Sequence, residues 1–98
     1  MAQFDVFRLS DSSLVLDCQS DLINAYETRF VVPLIVAEAD AVIIPRLHPR
    51  FRIEETDVVM VTHFAGTISR RELMTRIGSL EHERLRIISA IDVLTGSG

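Results

Sequence analysis

The stretch Thr28 to Val36 constrains this chain most. It is rich in β-branched residues and continuously apolar after Phe30, the pattern of a central strand covered on both faces. Pro33 lies inside it. Proline cannot donate to a ladder, so the position must be a bulge, a strand end or an edge. Two further runs precede it. Gln3 to Arg8 alternates, with Phe4 and Val6 on one face and Asp5 and Phe7 on the other, which predicts a strand. The cluster Ser10-Asp11-Ser12-Ser13 predicts a turn, returning the chain as a hairpin. In the returning run Leu14, Leu16 and Cys18 share one face and Val15, Asp17 and Gln19 the other. The first set is expected to face the core.

Beyond the long strand, Ala37 to Ala41 reads as a short helical turn, and Val42 to Pro49, cut by Pro45 and Pro49, as extended and irregular. Phe51 to Ile53 and Val58 to Thr62 read as strands around the turn Glu54-Glu55-Thr56-Asp57. A short strand is expected at Thr67-Ile68. Arg70 to Ile77 fits a helical spacing through Leu73, Met74 and Ile77, and fits a turn followed by a strand equally well.

The final element is a helix from Ser79 to about Thr95. Ser79 suits an N-cap, and Glu81 and Glu83 complement the positive end of the helix dipole. Its second half, with Ile87, Ile88, Ala90, Ile91, Val93 and Leu94, is apolar on nearly every side. A helix apolar all round is buried all round, and one small sheet covers only one side. A second copy of the chain is therefore expected along Ile87, Ile88, Ile91 and Leu94, by default with two-fold symmetry. A hydrophobic content of 48% in 98 residues, read as one domain over 1–98, agrees with apolar surface reserved for a partner.

Several function classes fall away. A net charge of −4 argues against a surface that tracks phosphates. All ten cations are arginine; guanidinium suits carboxylates, and codon usage explains the same composition. One cysteine, Cys18, excludes an internal disulfide and suits a reducing cytoplasm. With no leader and no run near 20 apolar residues, the chain reads as soluble and cytoplasmic. His48, His63 and His82 show no metal-ligand spacing. No serine adjoins a base and no glycine-rich phosphate loop is present, so no catalytic residue, metal or cofactor is assigned. Ribonuclease sites carry no local signature, and Arg29, Arg50, Arg52, Thr62 and His63 are the candidates for one.

Gln3-Phe4-Asp5-Val6-Phe7, Asp17-Cys18-Gln19-Ser20-Asp21-Leu22-Ile23, Thr28 to Leu34, and Ser79-Leu80 with His82, Ala90-Ile91 and Leu94 together resemble the CcdB family over Gln3 to Leu94. The resemblance implies a small, mainly β, SH3-like barrel (CcdB/MazF-like) with one C-terminal helix, working as a homodimer. It implies a turn and strand rather than a helix over Arg70 to Ile77. It further implies a toxin of a toxin–antitoxin module for plasmid or genome maintenance. Such a toxin inhibits DNA gyrase, a type II topoisomerase, by binding its A subunit and trapping the cleaved-DNA complex, and a CcdA-like antitoxin neutralises it. The related MazF-type toxins are endoribonucleases of similar architecture.

Residue by residue, the resemblance assigns gyrase contacts to Leu22, Ile23 and Asp92 and to the end of the helix, where the family carries an aromatic residue, glycine and isoleucine. Here those positions hold Gly96, Ser97 and Gly98, with Thr95 at the aromatic just before them. Losing such an anchor costs on the order of 2 to 4 kcal/mol, roughly a 30- to 1,000-fold weakening. The departure has three readings: a non-toxic homologue retaining antitoxin binding and operon co-repression, a toxin using another surface or target, or a Gly-Ser-Gly linker replacing the native end. Antitoxin contacts are expected at Arg8, Ser10, Arg46 and Arg50, against an acidic disordered tail.

Overall fold

The computed structural model describes residues 1–37 and 44–96. The long apolar run forms β3 (Thr28–Val36), the strand around which the sheet is organised. The other strands are β1 (Asp5–Arg8), β2 (Leu14–Asp17), β4 (Arg50–Ile53), β5 (Thr56–Met60), β6 (Gly66–Ser69) and β7 (Thr75–Ser79), followed by the helix α1 (Arg84–Thr95). The sheet runs β4-β5-β3-β2-β1-β7, with β6 added to β3. All its pairings are antiparallel. The protein is mainly β, a curled, barrel-like sheet with one C-terminal helix.

Pro33 explains how β3 serves three neighbours. Along one side it pairs with β2. Along the other its first half pairs with β6, ending at Val31↔Gly66, and its last residues pair with β5 from Leu34↔Met60. The Pro33 carbonyl accepts from the Val61 amide. In a strand a residue's N–H and C=O point to the same side, so the missing N–H of Pro33 faces the gap between β6 and β5, where no ladder bond is lost.

The alternation of β1, β2 and β3 sends Phe4, Val6, Leu16, Cys18, Val32 and Leu34 to one face, where Leu80, Ile87 and Ala90 cover them. The Leu14-Leu16-Cys18 side faces the core as expected, and the opposite face is buried as well. Val15, Asp17 and Gln19 are all buried. Phe7, Val15 and Val31 form a second apolar cluster there under Leu73, with Leu9 and Ile68 at its edge. Leu73 follows a 3-10 turn, Arg70–Glu72, that leads into β7. The ambiguous segment is thus a turn and a strand, as the family resemblance implies.

Several boundaries differ from expectation: β1 starts at Asp5 rather than Gln3, and β5 is Thr56–Met60 rather than Val58 to Thr62. The β4–β5 turn is two residues, Glu54 and Glu55, at φ 49 and 66, a geometry that matches the twist of the flanking strands. Ser79 does accept the Glu81 amide, at 3.1 Å, but it starts a 3-10 turn, Glu81–Glu83, and α1 begins only at Arg84. The helical turn expected over Ala37 to Ala41 lies, beyond Ala37, outside the described residues. The chain from Ile44 to Pro49 is a turn, with the Leu47 and His48 amides donating to the Ile44 carbonyl.

Candidate functional site

After β2 the chain turns through Asp21–Ile23, a 3-10 turn whose first amide bond is capped by Ser20: its hydroxyl accepts from the Leu22 amide at 3.1 Å. Leu22 is 95% exposed, Ile23 46% and Tyr26 63%. An apolar side chain gains about 1.5 to 3 kcal/mol when buried, so Leu22 contributes little to this fold and is free to contribute to another surface.

The loop carrying it is tightly held. Arg29, on β3, is completely buried. Its Nε and Nη2 donate to Asp17 Oδ2 at 3.0 and 2.7 Å, and its Nη1 donates to Asn24 Oδ1 at 2.7 Å. Asp17 Oδ1 accepts the Gln19 amide at 3.1 Å. Burial pushes the Asp17 carboxyl up from its usual range, and the bonds from Arg29 and Gln19 pull it back. Gln19 ties strand to loop: its Oε1 accepts the Phe30 amide and its Nε2 donates to the Ile23 carbonyl, both at 2.9 Å. Arg70 Nη1 donates to the Asn24 carbonyl at 3.2 Å and the Tyr26 carbonyl at 3.4 Å. Gln3 donates its amide to Asp21 at 2.9 Å and accepts from Arg84 on α1 at 3.1 Å.

The other expected contact region, the end of α1, is built differently. Thr95 is exposed, but its hydroxyl donates back to the Ile91 carbonyl at 3.1 Å and lies 3.3 Å from that of Asp92. Gly96 stops the helix at φ 84, its amide directed to the Asp92 and Val93 carbonyls. Asp92 is half-buried. Ser97 and Gly98 lie outside the described residues. The loop connects through Gln3 to the first residue of α1, not to its end.

Of the residues expected at a dimer interface, Ile87 is fully buried within its own chain. Ile88 and Ile91 are partly buried against the core, and Leu94 is 41% exposed. The expected antitoxin residues fall in two places. Arg8 pairs with Glu54 at 3.2 Å, bridging the β1–β2 and β4–β5 turns, and Ser10 is exposed beside it in sequence. Arg46 donates to Ser89 on α1 at 3.1 Å and lines a groove of about 320 Å³ with Pro45, Pro49, Leu85 and Arg86. Arg50 lines an adjoining pocket with His48 and Arg86, and its carbonyl accepts from Arg86 at 2.9 Å.

The ribonuclease candidates do not converge as a set. Arg29 is sealed in its ion pair. Thr62 is buried, donating to the Leu47 carbonyl at 2.5 Å. Arg52 is exposed and lies 3.5 Å from Asp57. His63 alone gains an unforeseen partner: its Nδ1 lies 2.9 Å from Nε2 of buried His48. The Ile44 amide donates to His48 Nδ1, so neutral His48 carries its proton on Nε2 and donates to His63. Burial first, and the neighbouring His63 next, lower the His48 pKa. The two histidines show no ligand spacing in the sequence. The hairpin register holds the missing signal, since continuing Arg50↔Val59 by two residues sets His48 opposite Val61. Cys18 is buried, and burial pushes its thiol up, the state of an inert packing residue. Among the described residues no three His, Cys, Asp or Glu side chains group to hold a metal, and no helix is long and apolar enough to cross a membrane.

A curled antiparallel sheet closed by one C-terminal helix is the architecture of the small CcdB/MazF-type toxins. The chain belongs to the CcdB family: the family model, described as CcdB protein, matches residues 3–96. It is thus a toxin-family protein of the toxin–antitoxin class. In fold it is similar to an endoribonuclease from mycobacterial species at TM-score 0.77 and 17% identity, covering 98% of this chain and 91% of that one. It is also similar to an Mtb toxin at TM-score 0.71 and 11% identity, covering 95% and 99% respectively. No curated protein matches the chain. Identities this low bear on the fold alone.

Proposed function

We propose that this protein is a gyrase-directed toxin that binds the gyrase A subunit through the Leu22–Ile23 loop, traps the cleaved-DNA complex and is neutralised by a CcdA-like antitoxin. One observation carries the reading: Leu22 stands 95% exposed on a turn that buried polar groups hold in place. Apolar anchors displayed on rigid loops concentrate binding energy. Asp92 and the end of α1 add contacts at the family's positions. Arg8, Ser10, Arg46 and Arg50 receive the acidic antitoxin tail, and the working form is a cytoplasmic homodimer joined along α1 at Ile88, Ile91 and Leu94. Exposed Leu85 and Leu94 on α1 support that joint, and sedimentation of the purified protein tests it.

Two other readings have an observation each. Thr95 bonds inward where the family has an aromatic, which favours a non-toxic homologue that binds antitoxin and represses its operon. The likeness to an endoribonuclease, with the His48–His63 pair, favours RNA cleavage; the net charge of −4 opposes it. Induced expression in gyrase-sensitive and gyrase-resistant bacteria, with gyrase-linked DNA cleavage assayed in parallel, separates the three. Killing only in the sensitive strain supports gyrase. Killing in both points to another target, RNA first. Growth in both supports the antitoxin-binding homologue.

A further inference from the structure

We propose that Tyr26 supplies an aromatic anchor on the Leu22–Ile23 loop, with Arg70 as the residue that positions it. The inference rests on the gyrase reading and names a contact residue for it.

Tyr26 is the only tyrosine in the chain. It stands 63% exposed three residues after Ile23, so the loop displays two aliphatic side chains and one aromatic ring together. Its backbone is fixed from both ends. The Tyr26 amide donates to the Ile23 carbonyl at 3.4 Å, and the Tyr26 carbonyl accepts from Arg70 Nη1, which also holds the Asn24 carbonyl. The Asn24 side chain in turn accepts from buried Arg29, and Arg70 is itself set by its backbone amide, which donates to the Glu27 carbonyl at 2.8 Å. A ring carried on so constrained a backbone loses little freedom on binding. Its face can stack on a guanidinium of the partner. The helix end has no comparable group: Thr95 is turned to its own helix and Gly96 has no side chain.

The test is binding of purified full-length protein to purified gyrase A subunit, by surface plasmon resonance, alongside thermal unfolding and loop amide exchange. Tyr26→Ser should weaken binding by at least about 30-fold with an unchanged unfolding midpoint, because the side chain is exposed. Tyr26→Phe keeps the ring and should bind within about threefold of wild type. Arg70→Ala should weaken binding while speeding amide exchange across residues 21–26, with Tyr26 itself untouched. Wild-type affinity in Tyr26→Ser overturns the anchor, and wild-type affinity in Arg70→Ala with faster loop exchange overturns the positioning role. Wild-type protein that fails to bind the subunit overturns the gyrase reading, and this assignment with it.

Discussion

The Asp21–Tyr26 loop and the end of α1 are both proposed here as contact points for the target, yet they are built by opposite means. The loop is a surface feature with an interior: Asp17, Arg29 and Gln19 beneath it are buried and bonded to one another and to the loop backbone. Among the described residues, the hydrogen bonds of the helix end, from its hydroxyl and its last amides, return to carbonyls of the helix itself. Rigidity at a surface thus comes from buried polar groups committed to it, not from regular secondary structure. A short 3-10 turn is here better placed to hold a binding side chain than a three-turn helix.

The largest expected effect attacks the loop's foundation. Arg29→Met leaves the Asp17 carboxylate buried without its partner and should cost about 3 to 5 kcal/mol in urea unfolding. A loss below about 1 kcal/mol would mean that water reaches the pair and that the loop stands without it. Leu22→Ser should separate binding from folding: stability within about 0.5 kcal/mol of wild type, and toxicity reduced by the loss of an anchor worth about 2 kcal/mol or more. Its counterpart at the helix end is Thr95→Phe, which restores an aromatic at the family's position and should strengthen gyrase inhibition in the DNA-cleavage assay. No gain there would confine recognition to the loop.

Smaller still is Gly96→Ala. A Cβ at φ 84 is strained by about 1 to 2 kcal/mol, a cost the helix end can escape by fraying. Exchange should therefore quicken only in the last turn of α1, while residues 21–26 stay protected. The last test uses pH. His48 binds its proton less readily in the folded state than an ordinary histidine does, so the folded protein holds fewer protons than the unfolded chain. Its contribution to stability is complete above pH 6.5 and declines as pH falls through the folded pKa. His48→Gln should flatten that slope in unfolding measured across the range. Persistence of the full slope in the variant would assign it to another group.

Much of the fold is legible in the residues. The strand Thr28–Val36, the turn at Ser10 to Ser13 and the apolar second half of α1 follow from local pattern, because alternation and helical spacing are properties of neighbouring residues. The turn after Ile53 is legible, but its tight two-residue form at Glu54-Glu55 is not, since glutamate is not a residue that favours positive φ. The candidate site was half legible. Leu22 and Ile23 came from the family's motif, whereas Tyr26 carries no motif, and Arg29 read as a candidate for RNA contact. A single charge in an apolar strand gives no sign of whether water or a carboxylate faces it.

By itself the sequence determined the run of strands, the helix that closes them, the family, and the lack of an aromatic at the helix end. Tertiary structure decided what covers each face. Period-two alternation says which residues point together, not what will lie over them. The second face of β2 became interior only because Leu73 and β6 return to it. Arg29 met Asp17 across 12 residues and His48 met His63 across 15, and Leu22 was left in solvent because no other segment comes back over the loop among the described residues. Burial depends on which distant parts of the chain return to a place, and a linear pattern records only what stands side by side.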